Sequence, residues 1–472
     1  MMSARRYLFT LLLCVSISGC FSQEMVSRHK APLVQEGEVV LYLQPMPQEA
    51  QKLRFIIDGI FAIRDDGFES PFILIKDELN ATELIGAQKR LASAILPPGI
   101  YNGISIRFKQ AFMQTEEGDV ALLVADEPIR VKRQFDVTRR KASTLFLSLN
   151  VAGNVTAGVR FTPGFSLASS GRVLINFNGY VTNTDSNFIT VFNKKTMRVV
   201  DTIATSPGPM GLVIDQLRAR AYVAASRADI IEVIDVFKGR IINRLRLNLK
   251  DRPIELAITP DGRTMVAVNN GTNTVSIIDT LSMIELAKVP VGEGPASAVI
   301  DPSGFRAFIM NTRSSTISVI DLTQQNVSVT IGVEGSPLRA AFNREGSKLF
   351  VISRNSPNLS VIDLARLTVS AKVFIGLGAL SIKVDDLTGL IYVGKRSGGE
   401  VMVIDPFALV FIDMIRVAGR AAFMTVDQEE RNLFVAIPDK KMLQKINIIS
   451  KKISSKIDVG EGAFAVAVMG ER

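Results

Sequence analysis

The side chains able to carry catalysis are few, and their types limit the chemistry. The 472-residue chain has one histidine, His29, and two cysteines, Cys14 and Cys20. Haem ligation, most zinc and copper sites and Ser-His-Asp hydrolysis use an organised imidazole, and residues 173–472 contain none. Carboxylate chemistry stays open. Adjacent acids stand at Asp385-Asp386 and Glu429-Glu430, but neighbours on a strand point to opposite faces and neighbours in a turn are usually solvated. Asp385-Asp386 also falls where related segments carry Asp-Pro-Ser-Gly or Pro-Asp-Gly turns. There is no calcium-loop spacing, glycine-rich phosphate loop or serine elbow. Neither a metal site nor a cofactor is expected.

The cysteines take their meaning from the N-terminus. Arg5 and Arg6 precede a largely apolar run of 11 residues, 7–17, which is too short to span a bilayer. Ser18, Gly19 and Cys20 follow. Ile17-Ser18-Gly19-Cys20 resembles the lipobox of bacterial lipoproteins. That resemblance implies removal of residues 1–19, a diacylglycerol on Cys20, and a tether over 20–32 containing His29. The mature chain would then have no free thiol and no disulfide. Acyl chains contribute about 0.8 kcal/mol per buried CH2, so two or three hold a globular protein on a membrane. Phe21 after the cysteine is not the Asp that retains lipoproteins at the inner membrane, which implies the outer membrane. The formal charge is +9, and loss of Arg5 and Arg6 leaves +7, a balance that suits anionic surfaces. Export makes nucleic acid an improbable partner.

The elements that must position any site come from a repeat. Val-Ile-Asp ends at Asp235, Asp321, Asp363 and Asp405, with variants ending at Asn193, Asp279 and Asn447. These seven positions are 42, 44, 42, 42, 42 and 42 residues apart. Around the third copy lie four strand-like segments, Thr264–Asn269, Thr274–Asp279, 287–291 and Pro295–Ile300, separated by Asn, Gly, Asp and Pro turns. Four strands in about 40 residues, repeated, predict propeller blades. The Asp ends a strand before a turn, where it is expected to bond nearby amides rather than form a carboxylate ring.

With Tyr180-Val181-Thr182-Asn183 intact and relatives at Tyr222-Val223-Ala224, Val266-Ala267-Val268-Asn269 and Phe350-Val351-Ile352-Ser353, the chain resembles the YVTN-repeat propeller family. The resemblance covers about 179–472. It implies a seven-bladed β-propeller over 173–472 but no single activity. The array opens on a second-strand segment and ends on 463–468, a first-strand segment. The last strand should therefore join the first three and close the ring.

In the loops between second and third strands stand Arg227, Arg313, Arg354, Lys395, Arg396, Lys440 and Lys441. Arg252, Arg339 and Arg420 are assigned to the loops entering the innermost strands. All should share one face of the disc near the channel mouth. Arg227, Arg252, Arg313, Arg339, Arg354, Lys395, Arg396 and Arg420 are the candidate anion-binding or partner-binding residues. The same loops carry Asp229, Asp251, Glu255, Glu293, Glu400, Asp439 and Glu461, which would neutralise part of the charge. A second basic group runs through Arg130, Lys132, Arg133, Arg139, Arg140 and Lys141.

Residues 33–172 lack the repeat. Alternating or apolar stretches at 37–43, 52–63 and 144–149, and Leu96-Pro97-Pro98-Gly99-Ile100-Tyr101 leading into a strand at 103–109, predict a β-sandwich. The segment order, with Pro-Gly-x-Tyr before Ile104-Ser105-Ile106-Arg107, resembles a prealbumin-like domain of prokaryotic lipoproteins. It implies a spacer between membrane anchor and propeller. The expected fold is thus all-β. The expected function is a non-catalytic envelope module that presents a propeller face to an acidic protein or polysaccharide. The alternative is an envelope hydrolase or lyase with carboxylates in the propeller channel.

Overall fold

The computed structural model describes residues 33, 35–47, 50, 52–150, 154–156, 159–170 and 177–470. The leader, the lipidation site Cys20 and the tether lie outside these residues. Among the described residues no helix is long and apolar enough to cross a membrane.

Two sheets form the N-terminal sandwich. One runs Phe165–Ser169, Ala142–Leu149, Gly37–Leu43, Lys89–Leu96 and Ile73–Leu74. The other is built on the long antiparallel pair Leu53–Arg64 and Gly99–Thr115. The Pro-Gly turn therefore leads directly into a 17-residue strand rather than one starting at 103. Val39, Leu41 and Leu147 from the first sheet meet Phe55, Ile60 and Ile106 from the second in one core. In strand Ile129–Val137 the exposed Arg130 and Lys132 flank the buried Val131, as alternation requires. The first sheet pairs Gly37–Leu43 with Ala142–Leu149 in parallel.

Seven four-stranded antiparallel sheets follow, one per blade. Blades 2 to 7 occupy residues 209–246, 253–290, 295–332, 337–374, 379–416 and 423–458. Blade 1 combines 178–204 with Ala463–Val468, the latter paired to Asn178–Asn183 through Gly179↔Val468 and Tyr180↔Ala467. The C-terminal strand thus closes the ring. Second strands are buried on both faces, which accounts for runs such as Thr264–Asn269. The YVTN asparagine has a structural task. Asn183 Nδ2 donates to Thr190 Oγ1 at 2.9 Å, Asn269 to Ser276 at 2.7 Å and Asn311 to Ser318 at 3.0 Å. The repeated Asp caps its hairpin: Asp279, Asp321, Asp363 and Asp405 each accept backbone N–H bonds two or three residues on. This is the local bonding expected of Asp at a strand end.

Closure is reinforced by charge. The Lys194 ammonium is fully buried and donates to Asp427 Oδ1 (2.9 Å), Glu429 Oε2 (3.1 Å) and the Met469 carbonyl (2.7 Å), tying blade 1 to blade 7 and to the chain end.

The sandwich is not a free-standing spacer. Strand Gly37–Leu43 is buried on both faces: Val39 and Leu41 face the sandwich core, while Val40 and Tyr42 join Phe192, Phe434 and Val466 in a propeller core. Around this contact Gln88 bonds both backbone groups of Val199 (3.2 and 2.7 Å), Thr144 meets Thr202 at 2.9 Å, and Lys89 pairs with Asp458 at 3.1 Å. Arg90 lies 5.1 Å from the Phe188 ring. The sandwich therefore docks on blades 1 and 7, the two that close the ring. Sequence patterning could not show this, because a strand with two apolar faces reads the same whether its second face meets a sheet or a neighbouring domain.

Two outcomes follow. Lys194→Met strands the buried Asp427 carboxylate, and should cost about 3–5 kcal/mol of stability, measured by urea unfolding. Asp201, at the domain junction, has its carboxyl pushed up to about 6 by burial, partly offset by bonds from Thr202 N–H and the Ser170 and Thr144 hydroxyls. An acid with a raised folded pKa destabilises the fold when ionised. Stability should thus rise as pH falls through about 6 toward 4, by about 2–3 kcal/mol for the full shift. Asp201→Asn should raise the melting temperature at pH 8 and flatten that pH dependence.

Candidate functional site

Loops joining second to third strands, and crossings into inner strands, lie on one face of the disc. Here the structure separates the candidate cations into three groups. Arg252, Arg313, Arg354, Arg396 and Arg420 are exposed. Among the described residues none of these five has a carboxylate partner within ion-pair distance. Their backbones are fixed: Arg313 N–H bonds the Glu293 carbonyl, Arg354 N–H the Ser336 carbonyl and Arg396 N–H the Gly378 carbonyl. Arg313 also lies over Gly294, whose φ of +63° and lack of a Cβ leave the room its side chain occupies. Arg252 N–H is held by the Asp229 carboxylate at 2.7 Å.

Arg227 is on the same face but already engaged. It bonds Asp185 Oδ1 at 2.7 Å and the Thr184 carbonyl at 3.0 Å.

Lys395 and Arg339 are corrections. Lys395 ends the strand Ile391–Lys395, buried, and its ammonium donates to the carbonyls of Ile375, Gly376 and Leu377. Burial lowers its pKa, and its three N–H groups are used. It pins a chain crossing beside a hollow of about 320 Å3 walled by Ser397, Glu400, Met402, Phe411 and Met414. Arg339 lies not in a loop but within the inner strand Pro337–Phe342. Its guanidinium spans the channel to Glu255 Oε2 of blade 3 at 2.8 Å and sits 4.7 Å from the Phe423 ring and 5.6 Å from the Phe464 ring. The 42-residue spacing from Pro295–Ile300 gives the same strand, so assigning Arg339 to the loop before it overlooks an element that already contains the residue.

The channel is thereby bridged by a charged pair. Burial raises the Glu255 carboxyl, against the opposing effect of Arg339 and a smaller one from Lys383. Ser297 Oγ donates to the Leu338 carbonyl and Ser381 Oγ to the Ala421 carbonyl, stitching neighbouring inner strands. Glu255 is a paired structural carboxylate, not one of two converging acids. Asp385 is likewise committed: burial alone would raise its pKa, but Thr388 and both guanidinium arms of Arg431 (3.0 and 3.1 Å) outweigh it and hold it low. Among the described residues no group of three or more His, Cys, Asp or Glu is placed to hold a metal ion.

With the ring and its face defined, the chain can be set beside known proteins. A family model described as a YNCE-like beta-propeller matches residues 177–471. The chain belongs to the YNCE-like β-propeller family. The sandwich lies outside that match. A "Seven-bladed beta-propeller protein Rv1057" of Mycobacterium tuberculosis is 28% identical over 139 residues, 28% of this chain and 33% of that protein, so the match spans about a third of the relative's length. A functionally unknown protein of Desulfotomaculum acetoxidans superposes with a TM-score of 0.56 at 15% identity, over 62% of this chain and 99% of that one. Hydrazine synthase of Kuenenia stuttgartiensis does so at 0.50 and 16%, over 55% and 89%. The dihydro-heme d1 dehydrogenase NirN does so at 0.50 and 12%, over 64% and 77%. At these identities the likeness is one of fold.

Arg339→Met should cost about 3 kcal/mol or more at pH 7, since it leaves Glu255 buried and unpaired. That loss should shrink as pH falls and Glu255 takes up a proton. Arg339→Met with Glu255→Met should recover most of the stability, as read by thermal melting.

Proposed function

We propose that the chain is a non-catalytic binding module of the cell envelope whose basic propeller face recognises a polyanion, either an acidic protein or an acidic polysaccharide. The observation that carries this reading is the set of five exposed arginines, Arg252, Arg313, Arg354, Arg396 and Arg420, on one face over a channel crossed by the Arg339–Glu255 pair. Each arginine alone contributes about 0–1 kcal/mol to an ionic contact. Engaged together by a multivalent anion they act by avidity, and the planar guanidinium grips carboxylate, sulfate or phosphate with two bonds. The enzymatic alternative loses support from Glu255 and Asp385, the channel and turn carboxylates, because both are locked by arginine.

The reading includes anchorage. Acylation at Cys20 would hold the module on a membrane, with Phe21 favouring the outer one, and the prealbumin-like resemblance of 33–172 fits such a lipoprotein.

Changing all five arginines to Gln should preserve the melting temperature, because they sit in loops or at strand ends. It should weaken binding to heparin or polyglutamate by at least about 10-fold and flatten its salt dependence. Equal binding by wild type and variant would make the face merely solvating charge. Cys20→Ala should move the protein from the membrane fraction to the soluble one.

A further inference from the structure

The strands of each blade are antiparallel, so the hairpins joining first to second and third to fourth strands open on the face of the disc opposite the arginines. Bonds between neighbouring blades hold these turns level. Arg218 donates to the Asp261 carbonyl at 3.2 Å, and Arg344 to the Leu387 carbonyl at 3.2 Å.

The turns of this face carry large apolar side chains. The position two residues after the repeated Asp or Asn holds Phe237, Leu281, Phe407 and Ile449 in four blades, and Lys195, Thr323 and Ala365 in the others. The turns between first and second strands add Leu217, Phe305 and Leu387. These seven apolar side chains are each between 58 and 83% exposed. The turns do not require them: Asp405 accepts from Phe407 N–H as Asp363 does from Ala365 N–H, whatever the side chain. A single exposed Leu is ordinary. Seven on one face, from five of the seven blades, form a pattern that marks an interaction surface. On the arginine face the comparable residues are Leu249, Phe374 and Leu377.

The polar residues around the tips indicate what covers them. Lys195, Lys238, Arg263, Arg344 and Arg366 are exposed in the same turns, and Arg198, Arg240, Lys348 and Lys452 at the adjoining strand ends. Against them stand the exposed acids Asp261, Glu345, Asp386 and Glu429. An excess of cations among apolar tips complements anionic headgroups over acyl chains. The tips also stand apart, separated by polar turn residues. A protein partner would need a matching set of pockets, whereas a lipid surface yields around each tip.

We infer that this face rests on an anionic lipid bilayer. Phe237, Leu281, Phe407 and Ile449 enter the boundary between headgroups and acyl chains, and the arginine face is turned away from the membrane. Neither acylation nor the polyanion reading is required for this contact; the lipobox-like residues 17–20 would bring a membrane within reach. The contact is reversible. It orients the protein, and washing releases a chain that lacks an acyl anchor.

The chain has no tryptophan, so a single introduced indole reports its own surroundings. Phe407→Trp and Ser397→Trp place it on opposite faces of blade 6. Each full-length chain, with Cys20→Ala to remove the acyl anchor, is mixed with vesicles of phosphatidylglycerol and brominated phosphatidylcholine. The fluorescence of Phe407→Trp should shift to the blue and be quenched by the brominated chains, while that of Ser397→Trp should do neither. Adding Phe237→Ser and Ile449→Ser to Phe407→Trp should weaken partition of its indole at least about 10-fold, by loss of two inserted apolar side chains. Melting temperatures should not change, because the turns are exposed. Quenching of Ser397→Trp in place of Phe407→Trp would make the arginine face the lipid surface. Quenching of neither would leave the tips to a protein partner, and quenching that survives both serine changes would show that the tips do not insert. Each of these three results would overturn the proposal.

Discussion

Everything in this molecule depends on joining its two distant ends. A propeller whose last inner strand comes from the C-terminus has no intact blade 1 until Ala463–Val468 pairs with Asn178–Asn183 across nearly 300 residues of chain. Loop-closure entropy opposes that pairing. Three features favour it together: the backbone ladder, the buried Lys194 bridging Asp427, Glu429 and the Met469 carbonyl, and the sandwich strand that drives Val40 and Tyr42 into the same core. The sandwich thus acts as a clamp over the seam. Its docking explains why Gly37–Leu43 has no solvated face.

Once closed, the ring sets equivalent loops on one plane, and function becomes a question of which side chains those loops leave free. The repeat supplies near-identical scaffolding, so departures from it are informative. Arg339 replaces the small residues Gly211, Ser297 and Ala465 of other blades and crosses the channel to Glu255. Lys395 stands where other blades have Asn183, Asn269 and Asn311, and serves a chain crossing instead of a hairpin. Glu232 stands where four blades have a hydroxyl, and holds Ser206 and Arg244. The arginines that remain exposed hold positions determined by backbone bonds, with their charge directed outward.

Much of the fold was legible in the sequence because the repeat encodes strong local rules. The hairpin Asp, the four-stranded repeat and closure by the last strand each follow from turn chemistry or pairing arithmetic, without tertiary knowledge. Tertiary partners were not legible. Arg339 and Arg313 look alike as loop-adjacent cations, yet one is drawn across the channel by a carboxylate two blades away and the other stays exposed, its backbone bonded to the crossing at Glu293. Lys395 reads as a surface cation until the carbonyls of 375–377 are placed around it. The Tyr42 contact joins residues more than 400 positions apart, and no periodicity carries that information.

The central claim is that seam and clamp open as one unit. Native-state hydrogen exchange followed by mass spectrometry, comparing the wild type with Tyr42→Ala, tests it most directly. The account predicts that segments 37–43, 178–183 and 463–468 share one opening free energy in the wild type. It also predicts that Tyr42→Ala accelerates exchange in 463–468 while the inner strands of blades 3 to 5 keep their protection. If 37–43 opens alone and 463–468 exchanges at the wild-type rate in the variant, the sandwich is a bystander and the ring closes without it.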